Sequence, residues 1–187
     1  MAKPLTFIKD VEFEFENDSV RIISNKKCPE IELMGLKIGP FEEGREYRVK
    51  FWVAQELERA GIARFREEEL LDPVKLYKIQ WKERVQSSTQ FSSLPEDFYA
   101  KLRRYLTDVK KEAIKRTEKM REYDKVAGLS RDIINCRLKK IVSLSSSPTK
   151  ASQILQNLAR EERLIYDHLY EIISEWRSRI LGEGGAP

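Results

Sequence analysis

The sequence predicts an α+β chain in two parts: a small N-terminal β-rich domain with one short helix, then a C-terminal α-helical bundle domain. Two observations predict it. Over residues 1–70 the apolar residues alternate or gather in short runs between turn residues, whereas over 71–187 they recur at spacings of three and four. The chain is 187 residues long and 41% hydrophobic, enough apolar material for a core in one ordinary domain or two small ones.

In the first part, Val11-Glu12-Phe13-Glu14-Phe15-Glu16 alternates apolar and acidic side chains, the period of a half-buried strand. Asn17-Asp18 supplies a turn, and Val20-Arg21-Ile22-Ile23 returns as a second strand. Ile31-Glu32-Leu33 and Tyr47-Arg48-Val49 are further short strands, separated by Gly35, Gly39, Pro40 and Gly44. From Phe51 to Ala60 the period changes. Val53, Ala54, Leu57 and Ala60 fall at helical spacing, and Gly61 is placed to stop that helix. Residues 62–65 read as extended again.

Asp72-Pro73 opens the second part as an acidic N-cap with proline at the first helical position. In the helix that follows, Val74, Tyr77 and Trp81 share a face, with Leu76 and Val85 near its edge. A polar loop over 86–93 leads to Pro95-Glu96-Asp97 and a long helix. Its stripe runs Phe98, Leu102, Tyr105, Leu106, Val109, Ala113 and thins toward Met120 and Tyr123. Ala127-Gly128 is expected to break this helix. Ser130 is expected to cap the next, which holds Ile133, Ile134, Leu138, Ile141 and Val142 and ends at 145–148. Ser147-Pro148 is expected to start a last helix with Ala151, Ile154, Leu155, Leu158, Ile165, Leu169, Ile172, Ile173, Trp176 and Ile180. That helix would be about eight turns and ~45 Å long, so its apolar stripe either spans the bundle or enters a partner chain. Residues 182–187 are expected to fray.

The residue inventory argues against most catalytic chemistry. One histidine, His168, and two cysteines, Cys28 and Cys136, are too few for a Cys/His zinc site or a disulfide framework. The glycines do not form a phosphate-binding loop. Glu67-Glu68-Glu69 reads as a solvated charge run, His168 as a surface or half-buried helix residue, Cys136 as a small core residue. Without a signal peptide or membrane span, the expectation is a soluble cytoplasmic protein. Charge is uneven: residues 101–140 carry 14 basic and 6 acidic side chains. Arg103, Arg104, Lys110, Lys111, Lys115, Arg116, Lys139 and Lys140 could contact phosphates without reading sequence. The alternative is pairing with Glu112, Glu118, Glu122, Asp124 and Asp132 along solvated helix faces.

Three segments resemble the archaeal GINS family. Leu36-Lys37-Ile38-Gly39-Pro40-Phe41, with Phe51-Trp52-Val53-Ala54-Gln55-Glu56-Leu57 and Gly61-Ile62-Ala63, is similar to its B domain. Leu94-Pro95-Glu96-Asp97-Phe98-Tyr99, followed by Leu102, Arg103 and Leu106, is similar to the entry of the main A-domain helix. Asp132-Ile133-Ile134, Arg137, Lys140 and Ile141 resemble a further A-domain helix. The order is B then A, as in the archaeal counterparts of the eukaryotic Psf-two and Psf-three subunits.

The resemblance implies a β-rich B-type domain over 1–70 and a helical A-type domain over 71–187. It implies a non-catalytic DNA replication factor with no catalytic residues, metal or cofactor. Such a subunit assembles with a paralogous GINS subunit, commonly as a 2+2 tetramer. The complex scaffolds the MCM helicase with a Cdc45/RecJ-like protein and sometimes primase, at the cytoplasmic, nucleoid-associated replisome. On this view Phe98, Leu102, Leu106, Ile154, Leu158, Ile165, Leu169, Ile172 and Trp176 are candidate subunit anchors. Trp52 and Leu57 are candidates in the docking module. A sequence-independent nucleic-acid-binding helical protein is the competing reading.

Overall fold

The computed structural model describes residues 4–33, 35–87, 90–147 and 152–182, in two units, Met1–Leu71 and Asp72–Pro187. The first unit begins with a helix, α1 (Pro4–Asn17), not with the strand that the alternation of 11–16 suggests. Val11 and Phe15 lie four residues apart and both turn inward, whereas Phe13 is 68% exposed. A spacing of two between phenylalanines misleads here, because the buried pair sits at the helical spacing of four. Phe15 packs on Phe51 (ring centroids 4.3 Å apart), and Phe51 on Phe65 (5.6 Å).

Strand β1 (Ser19–Ser24) is therefore not the return arm of a hairpin. It is the centre of an antiparallel sheet between β4 (Glu46–Lys50) and β5 (Ala63–Phe65). Ile22 faces Tyr47 on one side and Phe65 on the other. A separate hairpin pairs β2 (Ile31–Leu33) with β3 (Leu36–Ile38), a strand hidden in sequence by its flanking glycines. Helix α2 (Phe51–Arg59) buries Phe51, Val53, Ala54 and Leu57. Gly61 follows it at φ +66°, the left-handed backbone that glycine supplies without a Cβ penalty. At Gly39 (φ +105°) a Cβ would also meet the Phe41 ring at 3.3 Å.

The second unit holds α3 (Pro73–Val85), α4 (Phe98–Lys115), α5 (Met120–Ser145), the single turn α6 (Ser152–Leu155) and α7 (Arg160–Leu181). Asp72 caps α3 as expected, its carboxylate accepting from the Lys75 N–H at 2.8 Å. Two boundaries differ from the sequence reading. Helix α4 ends at Arg116, which is extended (φ −137°, ψ 104°), and a 3-10 turn (Thr117–Lys119) joins it to α5. Helix α5 then runs through Gly128 without a break, and the Ser130 hydroxyl donates back to the Val126 carbonyl (2.8 Å) instead of capping. Burial of Val126, Ser130 and Ile133 outweighs the roughly 1 kcal/mol that an interior glycine costs a helix.

The last helix is also divided. Residues 156–159 leave helical geometry between α6 and α7, and the Glu162 carboxylate accepts from the Ala159 N–H at 3.0 Å, closing the new N-terminus. Glu161 and Glu162 in its first turn suit the positive end of the helix dipole. The 22 residues of α7 span about 33 Å, not ~45 Å. The expected Ser147-Pro148 start and Ala151 lie at or beyond the edge of the described residues. The core here gathers Phe91, Ile141, Leu144, Leu158 and Tyr166, with Ile154, Leu155, Leu169 and Tyr170 against it.

Two stability experiments follow from these helices. Phe15→Ala should cost about 3–5 kcal/mol in denaturant unfolding and Phe13→Ala within about 0.5 kcal/mol. A strand would place both rings on one face and make the costs alike. Nothing lies within 4 Å of a Cβ built on Gly128, so Gly128→Ala should raise unfolding free energy by about 0.5–1 kcal/mol.

Candidate functional site

The most densely connected group in the second unit is a set of buried charges drawn from three helices and the 90–97 segment. Arg137 of α5 is fully buried, and all five of its guanidinium hydrogens are matched. Nε and Nη2 donate to the two Glu162 oxygens (2.5 and 2.6 Å), Nη1 to Glu83 (2.5 Å) and the Ser92 carbonyl (3.0 Å). Nη2 also reaches the Asn157 carbonyl (3.0 Å), which the interruption between α6 and α7 leaves available. One turn on, Lys140 spends its three hydrogens on the Glu83 carboxylate (2.7 Å), the Glu83 carbonyl (3.0 Å) and the Gln90 carbonyl (2.8 Å). The Phe91 ring lies under both cations, at 5.2 and 5.8 Å.

Two positive and two negative charges balance, which is what allows them to be buried together. Burial pushes the Glu83 carboxyl up. Hydrogen bonds from Lys140 and Ser92, with the charge of Arg137, outweigh that and hold it below its ordinary value. Burial and the adjacent Glu162 carboxylate push the Tyr99 hydroxyl far above its usual range. It therefore stays protonated and donates to Glu162 at 2.6 Å. With its donors committed, this network joins α3, α5 and α7; it offers no acid, base or nucleophile to a substrate.

The other chemical candidates are dispersed. His168 is exposed on α7, its Nδ1 2.8 Å from its own helix carbonyl at Leu164. Glu69 pairs with Arg21 (3.4 Å) and Glu68 with Arg66 (3.2 Å). Cys28 and Cys136 are free and half-buried. Among the described residues no group of three or more metal-ligating side chains gathers, and no helix is long and apolar enough to cross a membrane.

Burial divides the candidate anchors. Phe98, Leu102 and Leu158 are each no more than 2% exposed and serve the core of their own unit, so they cannot anchor a partner. Leu106, Ile154 and Leu169 are half-buried. Ile165, Ile172 and Trp176 are exposed on α7, joined by Ile180 and Leu181. In the first unit Leu57 is sealed in the core, and Trp52 is half-buried. Of the basic candidates, Lys140 is an internal ion and Arg103 pairs with Glu161 at 3.2 Å, so neither is a surface phosphate contact. Arg104 pairs with Asp108 (3.6 Å) and Lys115 with Glu112 (3.7 Å). Lys110, Lys111, Arg116 and Lys139 lie on the surface.

The apolar face that the sequence places on α3 lies on the outside. Val74, Tyr77, Trp81 and Val85 are all more than half exposed, while Leu76, Gln80 and Glu83 point inward. Gln80 donates to Asp132 of α5 at 2.9 Å. The helix thus shows its greasy side to solvent because its polar side is held by α5. The clue in sequence was Gln80 and Glu83, which fall opposite the apolar stripe and have partners only if they turn inward.

A family model described as the GINS complex protein helical bundle domain matches residues 70–181. The chain belongs to the GINS family. A second model, the PSF2 N-terminal domain, matches residues 8–65, which makes this a PSF2-like GINS subunit. The human DNA replication complex GINS protein PSF2 is 29% identical over 132 residues, 71% of this chain and 67% of the human protein. The Xenopus laevis protein of the same name is 28% identical over 112 residues, covering 60% of each chain. The chain therefore matches about two thirds or less of the length of these relatives.

The network sets a pH dependence for the GINS helical unit. Glu83 binds its proton more weakly in the folded than in the unfolded chain. Its contribution is complete above the ordinary value of 4.5 and is lost as pH falls through the lowered one. Glu83→Gln should flatten that acid limb, followed by circular dichroism. It should also cost about 3–5 kcal/mol at neutral pH, because Arg137 and Lys140 are left short of a counter-charge.

Proposed function

We propose that this chain is a non-catalytic replication subunit whose task is assembly. It joins a paralogous GINS subunit, as a 2+2 tetramer, through the helical A-type domain over 71–187. The resulting complex scaffolds an MCM helicase with a Cdc45/RecJ-like protein, and primase as a further partner. The B-type domain over 1–70 acts as the docking module. No metal or cofactor enters this reading, and its setting is the replisome.

The observation that supports it is the exposure of Ile172, Trp176 and Ile180 on one face of α7. They recur every four residues, so they form a straight apolar edge rather than scattered surface residues. Trp176, 62% exposed, is the residue type most often found as an interface hot spot. The α3 face of Val74, Tyr77, Trp81 and Val85 is a second edge of the same kind. Covering such edges against partner helices gives the large, apolar interface of an obligate complex.

The test is to coexpress the chain with its paralogous subunit and determine the native mass by light scattering. Wild type should form the tetramer. Trp176→Asp and Ile172→Asp should lose it while keeping the helical content and unfolding midpoint of the subunit, because neither side chain is in the core. A tetramer unaffected by both changes, or a wild-type chain that stays monomeric beside its paralogue, overturns the proposal.

A further inference from the structure

A groove of about 370 Å³ opens between α4 and α5, away from the α7 and α3 edges. Leu106 and Thr107 of α4 face Tyr123, Ala127, Ser130 and Ile134 of α5 across it. Two of its three hydroxyls contribute little polarity, and the third belongs to the Tyr123 ring. Thr107 donates to the Arg103 carbonyl and Ser130 to the Val126 carbonyl, both at 2.8 Å and both within their own helix. The floor therefore presents methyl, methylene and ring surface. Lys110 stands on the α4 wall and Arg131 on the α5 wall, both exposed. Among the described residues neither has a carboxylate partner, whereas half of the 14 basic residues over 101–140 do.

An apolar floor between two unmatched cations specifies its ligand. From Tyr123 to Ile134 the floor extends about 16 Å along α5, the length of three helical turns. An open trough of that length takes side chains from one face of a helix, as in helix-in-groove recognition, rather than an enclosed small molecule. Nucleic acid would use the cations but leave the floor unfilled. The α3 face of a second copy fills the floor poorly on charge grounds, since Lys75, Lys78, Lys82 and Arg84 flank it.

We propose that the α4–α5 groove is a docking site for an acidic amphipathic helix of a partner protein. Its apolar side chains enter between Leu106 and Ile134, and its carboxylates on either side meet Lys110 and Arg131. The assignment does not depend on how the α7 and α3 edges are covered.

The probe is a fluorescein-labelled peptide with leucine at i, i+4 and i+7 and Asp or Glu elsewhere, titrated with the full chain and read by anisotropy. Ile134→Asp should abolish binding. Lys110→Glu with Arg131→Glu should weaken it about tenfold or more, and raised salt should weaken it in wild type only. A peptide with lysine in place of the acids should bind the doubly reversed variant better than it binds wild type, an exchange that a merely structural defect cannot produce. The proposal is overturned if the acidic peptide does not bind wild type or binds every variant alike. It is also overturned if the acidic and lysine peptides bind wild type equally. Self-association of the chain that disappears in the doubly reversed variant would assign the groove to a second copy and overturn it as well.

Discussion

Arg137 sits where α3, α5, α7 and the segment through Ser92 converge, and its guanidinium has a specific acceptor from each of the other three. A hydrophobic side chain at that point would leave the helices free to slide, because apolar contact is non-directional. A planar fork with five directed donors does not allow it. The Glu162 carboxylate adds a constraint of its own, since it meets Arg137, Tyr99 and the Ala159 N–H together. The start of α7 is thereby fixed to the middle of α5.

That constraint decides which surfaces remain for other molecules. Because Glu83 and Gln80 are drawn inward, α3 must turn Tyr77 and Trp81 out. Because α7 is held at its N-terminal end by Glu162 and by the core around Tyr166, its later turns carry Ile172, Trp176 and Ile180 past the packed region. Exposed tryptophans are thus by-products of a polar interior. In this helical unit, inside and outside are partly exchanged relative to a bundle with an apolar core and a polar surface.

Much of the architecture was legible in sequence. The α2 stop at Gly61, the Asp72 cap and the entry into α4 through Pro95-Glu96-Asp97 follow from local backbone chemistry, which needs no knowledge of the rest of the fold. The failures arose where tertiary packing outweighed local preference. Phe13 imitated a strand because an exposed aromatic looks the same in sequence as a buried one. Gly128 was carried through a helix by its packed neighbours. Apolar identity at helical spacing cannot separate Leu158, sealed at 1% exposure, from Trp176 on the surface. The buried ions were harder still: Arg137 and Lys140 stand in a basic stretch, and only their distant partners Glu83 and Glu162 mark them as internal.

The four-charge set also restricts how this chain can change over generations. Glu83, Arg137, Lys140 and Glu162 lie on three helices, yet each satisfies another. Neutralising any one alone strands an ion in the interior, so single steps away from the arrangement are closed. Replacing the quartet wholesale with a packed apolar cluster avoids that cost. The exposed apolar edges of α3 and α7 carry no such restriction, because no buried charge depends on them.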